Sequence, residues 1–270
     1  MDYIEIVLEN IPVDQLELVM ADLSLAGCNG FEELDNGGLK AYAEAGGLNE
    51  NELNLIVDKY QLNHSLSNIK EQNWNAVWES NFDPVQVRDF VGIRADFHAP
   101  IAGVRHEILI TPKMSFGTGH HATTWMMLDW MEGLNMAGKS AYDFGTGTGV
   151  LAIMAEKLGA KQVLAVDNDD WCIENSLENI QKNNCQSIDI EKVETGYQNK
   201  KFDIILANVN RHIIEANIHF LVDALAQDGQ ILFSGLLVDD EQPMRELFAQ
   251  HGLQTEGVRV RNNWISILCR

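Results

Sequence analysis

The segment Asp143-Phe144-Gly145-Thr146-Gly147-Thr148-Gly149 sets three glycines at every second position behind a carboxylate. Glycines so spaced let a backbone turn sharply from a strand into a helix and approach a bound ligand closely. Val150 stands where a dinucleotide-binding fingerprint would place its third glycine. That glycine serves close helix packing beside a pyrophosphate, so nicotinamide and flavin nucleotides are disfavoured. Asp167 closes the next apolar run, 22 residues after Gly145. A carboxylate at that distance reaches a ribose and accepts hydrogen bonds from both hydroxyls; the competing reading is a helix N-cap.

The absent third glycine and the preceding acid match the form of this loop that binds S-adenosyl-L-methionine; the competing reading is a plain strand-to-helix turn. A second chemically suggestive stretch is Ser115-Phe116-Gly117-Thr118-Gly119-His120-His121-Ala122-Thr123-Thr124. It suits a loop that folds over a ligand. Thr123 and Thr124 either cap the following helix or offer hydroxyls to the amino-acid end of the cofactor. Adjacent histidines point in different directions and no Cys, Asp or Glu stands at ligand spacing, so no metal is expected. A third stretch, Ala207-Asn208-Val209-Asn210, ends a strand. Ligands of open α/β sheets bind at such ends, which puts Asn208 beside the methyl donor, where it can orient an incoming amine. The proline pair and aromatic of base-methylating enzymes are missing here, so a stacked flipped base is not supported.

These residues need a scaffold. Apolar strand-like runs at 141–144, 163–166, 188–190, 203–207, 230–233 and 264–268 alternate with helical patterns near 123–131, 151–158, 170–183, 212–226 and 240–250. Such alternation indicates a mostly parallel sheet covered on both faces. Ahead of it lie short β-type runs at 85–87, 90–93 and 108–110. The N-terminal region reads β-α-β-β-α: a strand at Ile4–Leu8, a helix opened by Pro12 and Asp14, a hairpin turning at Asp35-Asn36-Gly37-Gly38, and a helix from Asn49 to Tyr60. That order is ferredoxin-like and carries no catalytic constellation, so it is a binding or positioning domain. The expected division is 1–62 for this domain, a polar linker at 63–78, and a second domain at 79–270.

The chain has 270 residues and a formal net charge of −21. Residues 1–64 hold thirteen carboxylates against two lysines, a formal charge of −11. Nucleic-acid binders neutralise phosphates with Lys and Arg, so this excess opposes direct contact with a polyanion and favours a basic protein or simple solubility. No apolar run is long enough for a membrane helix, and the acidic N-terminus is unlike a signal peptide. A cytoplasmic monomer is expected. Cys28, Cys172, Cys185 and Cys269 are scattered and read as reduced thiols.

Together these motifs resemble the bacterial family of methyltransferases that modify large-subunit ribosomal protein L11. Trp74, Trp78, Phe82 and Pro84 match its W-x3-W-x3-F-x-P segment. Phe116-Gly117-Thr118-Gly119, His121 and Thr123-Thr124 match its FGTG-x-H-x-TT loop, and Ala207-Asn208 and Ser234-Gly235-Leu236-Leu237 its late-strand signatures. The resemblance implies a doubly wound α/β enzyme with a seven-stranded sheet and S-adenosyl-L-methionine contacts at Thr124, Gly145, Asp167 and Asn208. It also implies an N-terminal domain that holds the basic ribosomal protein while lysine side-chain or N-terminal amines are methylated. Lys113, Ser115, His120, Ala122, Thr146 and Thr148 depart from the family pattern, His120 replacing a small polar residue. No catalytic acid or base is assigned. The rival readings are a methyltransferase for another protein or a small molecule, and a non-catalytic sensor of the cofactor.

Overall fold

The computed structural model describes residues 3–9, 11–12, 15–34, 38–44, 46–69, 83–112 and 117–270. The hairpin tip at 35–37, Asp14, Trp74, Trp78, Phe82 and Phe116 therefore lie outside the described residues. Two compact units divide the chain, Met1–Phe82 and Asp83–Arg270.

The first unit runs β1 (Tyr3–Glu9), α1 (Leu16–Leu25), β2 (Cys28–Glu33), β3 (Leu39–Glu44), α2 (Glu50–Tyr60) and β4 (Asn63–Ile69). Its sheet is antiparallel throughout, in the order β2-β3-β1-β4. Alternation along β1 and β3 sends Ile6, Leu8, Leu39, Ala41 and Ala43 into one core, where Val19 and Leu23 of α1 and Leu53 and Ile56 of α2 meet them. Asn49 starts α2 by accepting a hydrogen bond from the Glu52 amide at 3.2 Å, and Gln61 ends it in a left-handed conformation.

One boundary needs correction. Residues 63–69, expected as the start of the linker, are the fourth strand, paired with β1 from Asn63↔Glu9 to Ile69↔Tyr3. The strand lies at the sheet edge, and its residues from Asn63 to Asn68 are all exposed. A strand with no buried face carries no alternation of apolar and polar residues, which is the signal that reveals strands in a sequence.

The second unit opens with a three-stranded sheet, β5 (Val85–Val87), β6 (Val91–Ala95) and β7 (His106–Ile110). Then follow α3 (Ala122–Met131), β8 (Ser140–Phe144), α4 (Val150–Lys157), β9 (Gln162–Asp167), α5 (Asp170–Lys182), β10 (Ile188–Lys192), β11 (Phe202–Asn208), α6 (Arg211–Asp223), β12 (Leu225–Leu237), α7 (Glu241–Gln250), β13 (Thr255–Arg261) and β14 (Trp264–Cys269). The seven strands lie in the order β10-β9-β8-β11-β12-β14-β13. The first five run parallel, and β14 is antiparallel to both of its neighbours. This is the doubly wound sheet expected from the alternating pattern. It has one strand, β13, that the pattern did not reveal: its Thr-Glu-Gly-Val-Arg-Val-Arg sequence has no fully buried residue. The central strands are buried on both faces, and Phe233 of β12 stacks on Phe248 of α7 with ring centroids 4.3 Å apart.

The chain leaves β8 toward β9 and β10, then returns to β11 on the other side of β8. Strand ends that diverge in this way open a crevice between β8 and β11.

Candidate active site

The carboxyl ends of β8, β9 and β11 deliver Phe144, Asp167 and Asn208 to that crevice. A cavity of about 490 Å³ opens there, with Gly145, Asp167 and Asn208 in its wall. Thr124 borders the adjoining recess together with Gly117, Gly145, Thr146, Thr148 and Asn208. Four positions separated by up to 84 residues in the chain thus meet at one place.

The turn after β8 is pinned by the amides of Gly145 and Thr146, each donating to the Val166 carbonyl at 2.9 Å. Gly145 has φ +78°, and a Cβ there would stand 2.3 Å from Cγ1 of Val209. A glycine at 145 both suits the left-handed backbone and leaves room for the Val209 side chain of the turn after β11. Below it, Asp143 is fully buried, and the Thr146 hydroxyl donates to its Oδ2 at 2.7 Å. Burial pushes the Asp143 carboxyl up to about 7, against the opposing pull of the Thr146 hydrogen bond.

Asp167 accepts from the Gly147 amide at 2.9 Å through Oδ2 and from the Asp169 amide at 3.1 Å through Oδ1. Helix α5 is capped by Asp169, whose side chain takes the Trp171 amide at 2.7 Å. The capping role considered for Asp167 therefore belongs two residues further on. Each Asp167 oxygen keeps a lone pair for a further donor.

Asn208 is 9% exposed, and its Nδ2 donates to Oγ1 of Thr124 at 3.3 Å. Its Oδ1 is buried and has no hydrogen-bond partner among the described residues. An orphaned buried acceptor costs about 1–3 kcal/mol, so this wall is complementary to a donor entering from the cavity. Thr124 rides on α3, which is fixed from outside by Asp129: its carboxylate pairs with Arg88 and with Arg259. The Trp130 ring of the same helix donates to Ser266 of β14 at 2.9 Å.

Of the two roles open to Thr123 and Thr124, capping falls to another residue. Thr123 and Thr124 lie inside the first turn, and His121 is the capping residue, its Nδ1 accepting from the Thr123 amide at 3.4 Å. Its ring packs edge-on against Trp264 with centroids 4.6 Å apart, and burial holds its pKa below the ordinary histidine range. Trp264, Cys172 and Asn217 also line the cavity, and none was singled out from the sequence. Trp264 read as one more apolar strand residue, and the other two sit within helices whose pattern gives no sign of a ligand.

The lining fits an adenosylmethionine, with a carboxylate that can accept from a diol and a glycine turn open to close approach, and it leaves an unmet amide acceptor beside a buried hydroxyl for a further donor. Comparison with known proteins agrees with that chemistry. A family model described as ribosomal protein L11 methyltransferase (PrmA) matches residues 33–270. Proteins named ribosomal protein L11 methyltransferase from Bacteroides fragilis, Phocaeicola vulgatus and Chlorobaculum tepidum are similar at 32%, 34% and 35% identity. Each alignment spans 99% of this chain, and 99%, 98% and 96% of the respective relative. The crystal structure of a ribosomal protein L11 methylase from Lactobacillus delbrueckii subsp. bulgaricus superposes with a TM-score of 0.65 at 28% identity. That match covers 70% of this chain and 98% of the other.

The buried carboxyl supplies a test of the turn. Its pKa is higher in the folded state, so the native chain binds the proton more tightly than the unfolded chain. The contribution of Asp143 to stability therefore declines as pH rises from the ordinary carboxylate range through about 7. Urea unfolding of Asp143→Asn should lack that decline, so its stability relative to the wild type should improve from pH 5.5 to about 7 and then level off by pH 8. A difference independent of pH would place the titration elsewhere.

Proposed function

The chain belongs to the ribosomal protein L11 methyltransferase family, and from that premise we propose that it transfers methyl groups from S-adenosyl-L-methionine to lysine side-chain and N-terminal amines of ribosomal protein L11. The observation that carries this reading is the unmet Oδ1 of Asn208, buried beside Thr124 in the wall of the cavity that also holds Asp167.

The cofactor, when bound, supplies a methyl group activated by a positively charged sulfur. Asp167 would accept hydrogen bonds from the ribose hydroxyls, and the turn at Gly145 would give the ligand access to backbone. Thr124 holds the Asn208 amide in one orientation, its hydroxyl accepting from Nδ2 while Oδ1 faces the incoming acceptor. An amine N–H donated to that Oδ1 fixes the nitrogen, so its lone pair can be aimed in line with the methyl carbon and sulfur. Held this way, the neutral amine would take the methyl group that the bound cofactor supplies, with S-adenosylhomocysteine as the other product.

A lysine ammonium, with an ordinary pKa of about 10.4, must first release its proton to solvent. Transfer into a site with an apolar floor at Phe144 and Val166 disfavours the charged form. Orientation of this kind is worth about 7–11 kcal/mol, so positioning and desolvation account for the catalysis without an assigned base. His121, held at low pKa against Trp264, serves to structure the loop and cap α3.

The first unit is the proposed holder of the basic substrate. Its carboxylate excess suits such a partner, and it has no constellation of its own. The same proposal makes the enzyme a cytoplasmic monomer with no direct nucleic-acid or membrane contact. No helix among the described residues is long and apolar enough to cross a membrane.

Mass spectrometry of purified L11 after incubation with enzyme and cofactor should find gains in whole methyl steps on lysines or the N-terminal amine. An unmodified L11 beside a confirmed bound cofactor would require another acceptor. Asn208→Ala should lower kcat on the order of 100-fold while S-adenosylhomocysteine still binds; a normal rate would remove Asn208 from the reaction. Deleting residues 1–69, which takes out β4 together with the rest of its sheet, should spare cofactor binding and abolish L11 methylation. Retained methylation would end the substrate-holding role.

A further inference from the structure

The ring of His120 bridges two parts of the second unit. Nε2 lies 2.8 Å from the carbonyl oxygen of Asp83, and Nδ1 lies 3.1 Å from Oγ1 of Thr118. A carbonyl can only accept, so Nε2 carries the proton. In the neutral ring Nδ1 is then an acceptor, and the Thr118 hydroxyl donates to it. An imidazolium would keep the Nε2 bond and reverse only the second one. The link to Asp83 therefore survives in either protonation state.

The segment from Gly117 to His121 is seated on the leading sheet by a second contact. Gly119 has φ +94°, and a Cβ there would stand 2.6 Å from Ile93 of β6 and 3.5 Å from Val85 of β5. The backbone thus lies flush on that sheet, with the His120 ring reaching to Asp83, the first residue of the second unit. At its other side the segment meets the cofactor wall. The Thr148 hydroxyl donates to the Gly117 carbonyl at 2.8 Å, and His121 packs on Trp264. Gly117 borders the recess beside Thr124 and Asn208, and His121 lines the main cavity.

We propose that His120 is a positioning residue for cofactor binding, a donor that ties the loop bordering the cavity to the Asp83 carbonyl and so holds Gly117 and His121 in register with the glycine turn. It touches no reacting atom and acts through the loop alone. The proposal rests on the cavity being the adenosylmethionine site, and binding of S-adenosylhomocysteine by the wild type tests that reading separately.

The experiment uses the full chain, with calorimetric titration of S-adenosylhomocysteine and steady-state methylation of L11. Loss of one such bond in His120→Ala should weaken S-adenosylhomocysteine and raise KM for S-adenosyl-L-methionine roughly three- to tenfold. KM for L11 should stay unchanged. His120→Gln, whose side-chain amide still donates to a carbonyl, should recover most of the lost affinity. The pH dependence of kcat should be the same in the wild type and in His120→Gln. Should the alanine variant fail to fold, Thr118→Val, which removes only the hydroxyl that orients the ring, should weaken the same ligand in the same direction. Unchanged cofactor affinity in folded His120→Ala, or no recovery by His120→Gln, overturns the proposal. So does a rise confined to KM for L11, and a kcat profile that loses a pH limb with the ring would make His120 a proton carrier instead.

Discussion

The turn after β8 and the turn after β11 must lie in van der Waals contact, and much of the site follows from that constraint. Adjacent parallel strands end about 4.8 Å apart, so the loops that leave them compete for the same space. Here the competition is resolved by removing one side chain, at Gly145, and letting Val209 occupy the room. The amide of Asn208 is thereby delivered next to the glycine turn instead of being pushed over it. Helix α3, arriving from elsewhere in the chain, then needs to present only one small hydroxyl to complete the pair. A side chain at 145 would meet the Val209 side chain and strain a backbone held at φ +78°.

Much of this was legible in the residue order because the central strands are buried on both faces. Such strands are short apolar runs, and the helices between them carry a clear period. The same physics explains the omissions. Both β4 and β13 are edge strands: the residues of β4 from Asn63 to Asn68 are exposed, and β13 has no fully buried residue, so neither is the short apolar run that marks a central strand. At the site, Gly145, Asp167 and Asn208 were conspicuous because their roles depend on position along the chain relative to a strand end. Trp264, Cys172 and Asn217 reach the cavity through the tertiary arrangement alone. Helix α3 was expected to begin on its threonines, but His121 takes the amide and leaves Thr124 facing inward, where Asn208 can use it.

Polar groups in the second unit are handled in two ways. Those that hold the frame are paired: Asp129 between two arginines, Asn179 donating to the Thr148 carbonyl at 2.8 Å, and Asp203 bridging the Ser140 amide and hydroxyl at 2.8 Å each. In the wall of the crevice, Oδ1 of Asn208 is left without a partner among the described residues. An unmet buried acceptor weakens the empty protein, and a ligand that satisfies it recovers that energy on arrival. The site therefore gains affinity from a deficit built into its wall.

The order of the strands also bears on how the protein comes into being. Strand β14 lies between β12 and β13 in the sheet, although it follows both in the chain. A nascent polypeptide emerging from the ribosome can assemble β8 to β12 in turn, but β13 has no neighbour to pair with until β14 has been made. Since β14 also brings Trp264 to the cavity wall, that side of the pocket is completed only once β14 has paired.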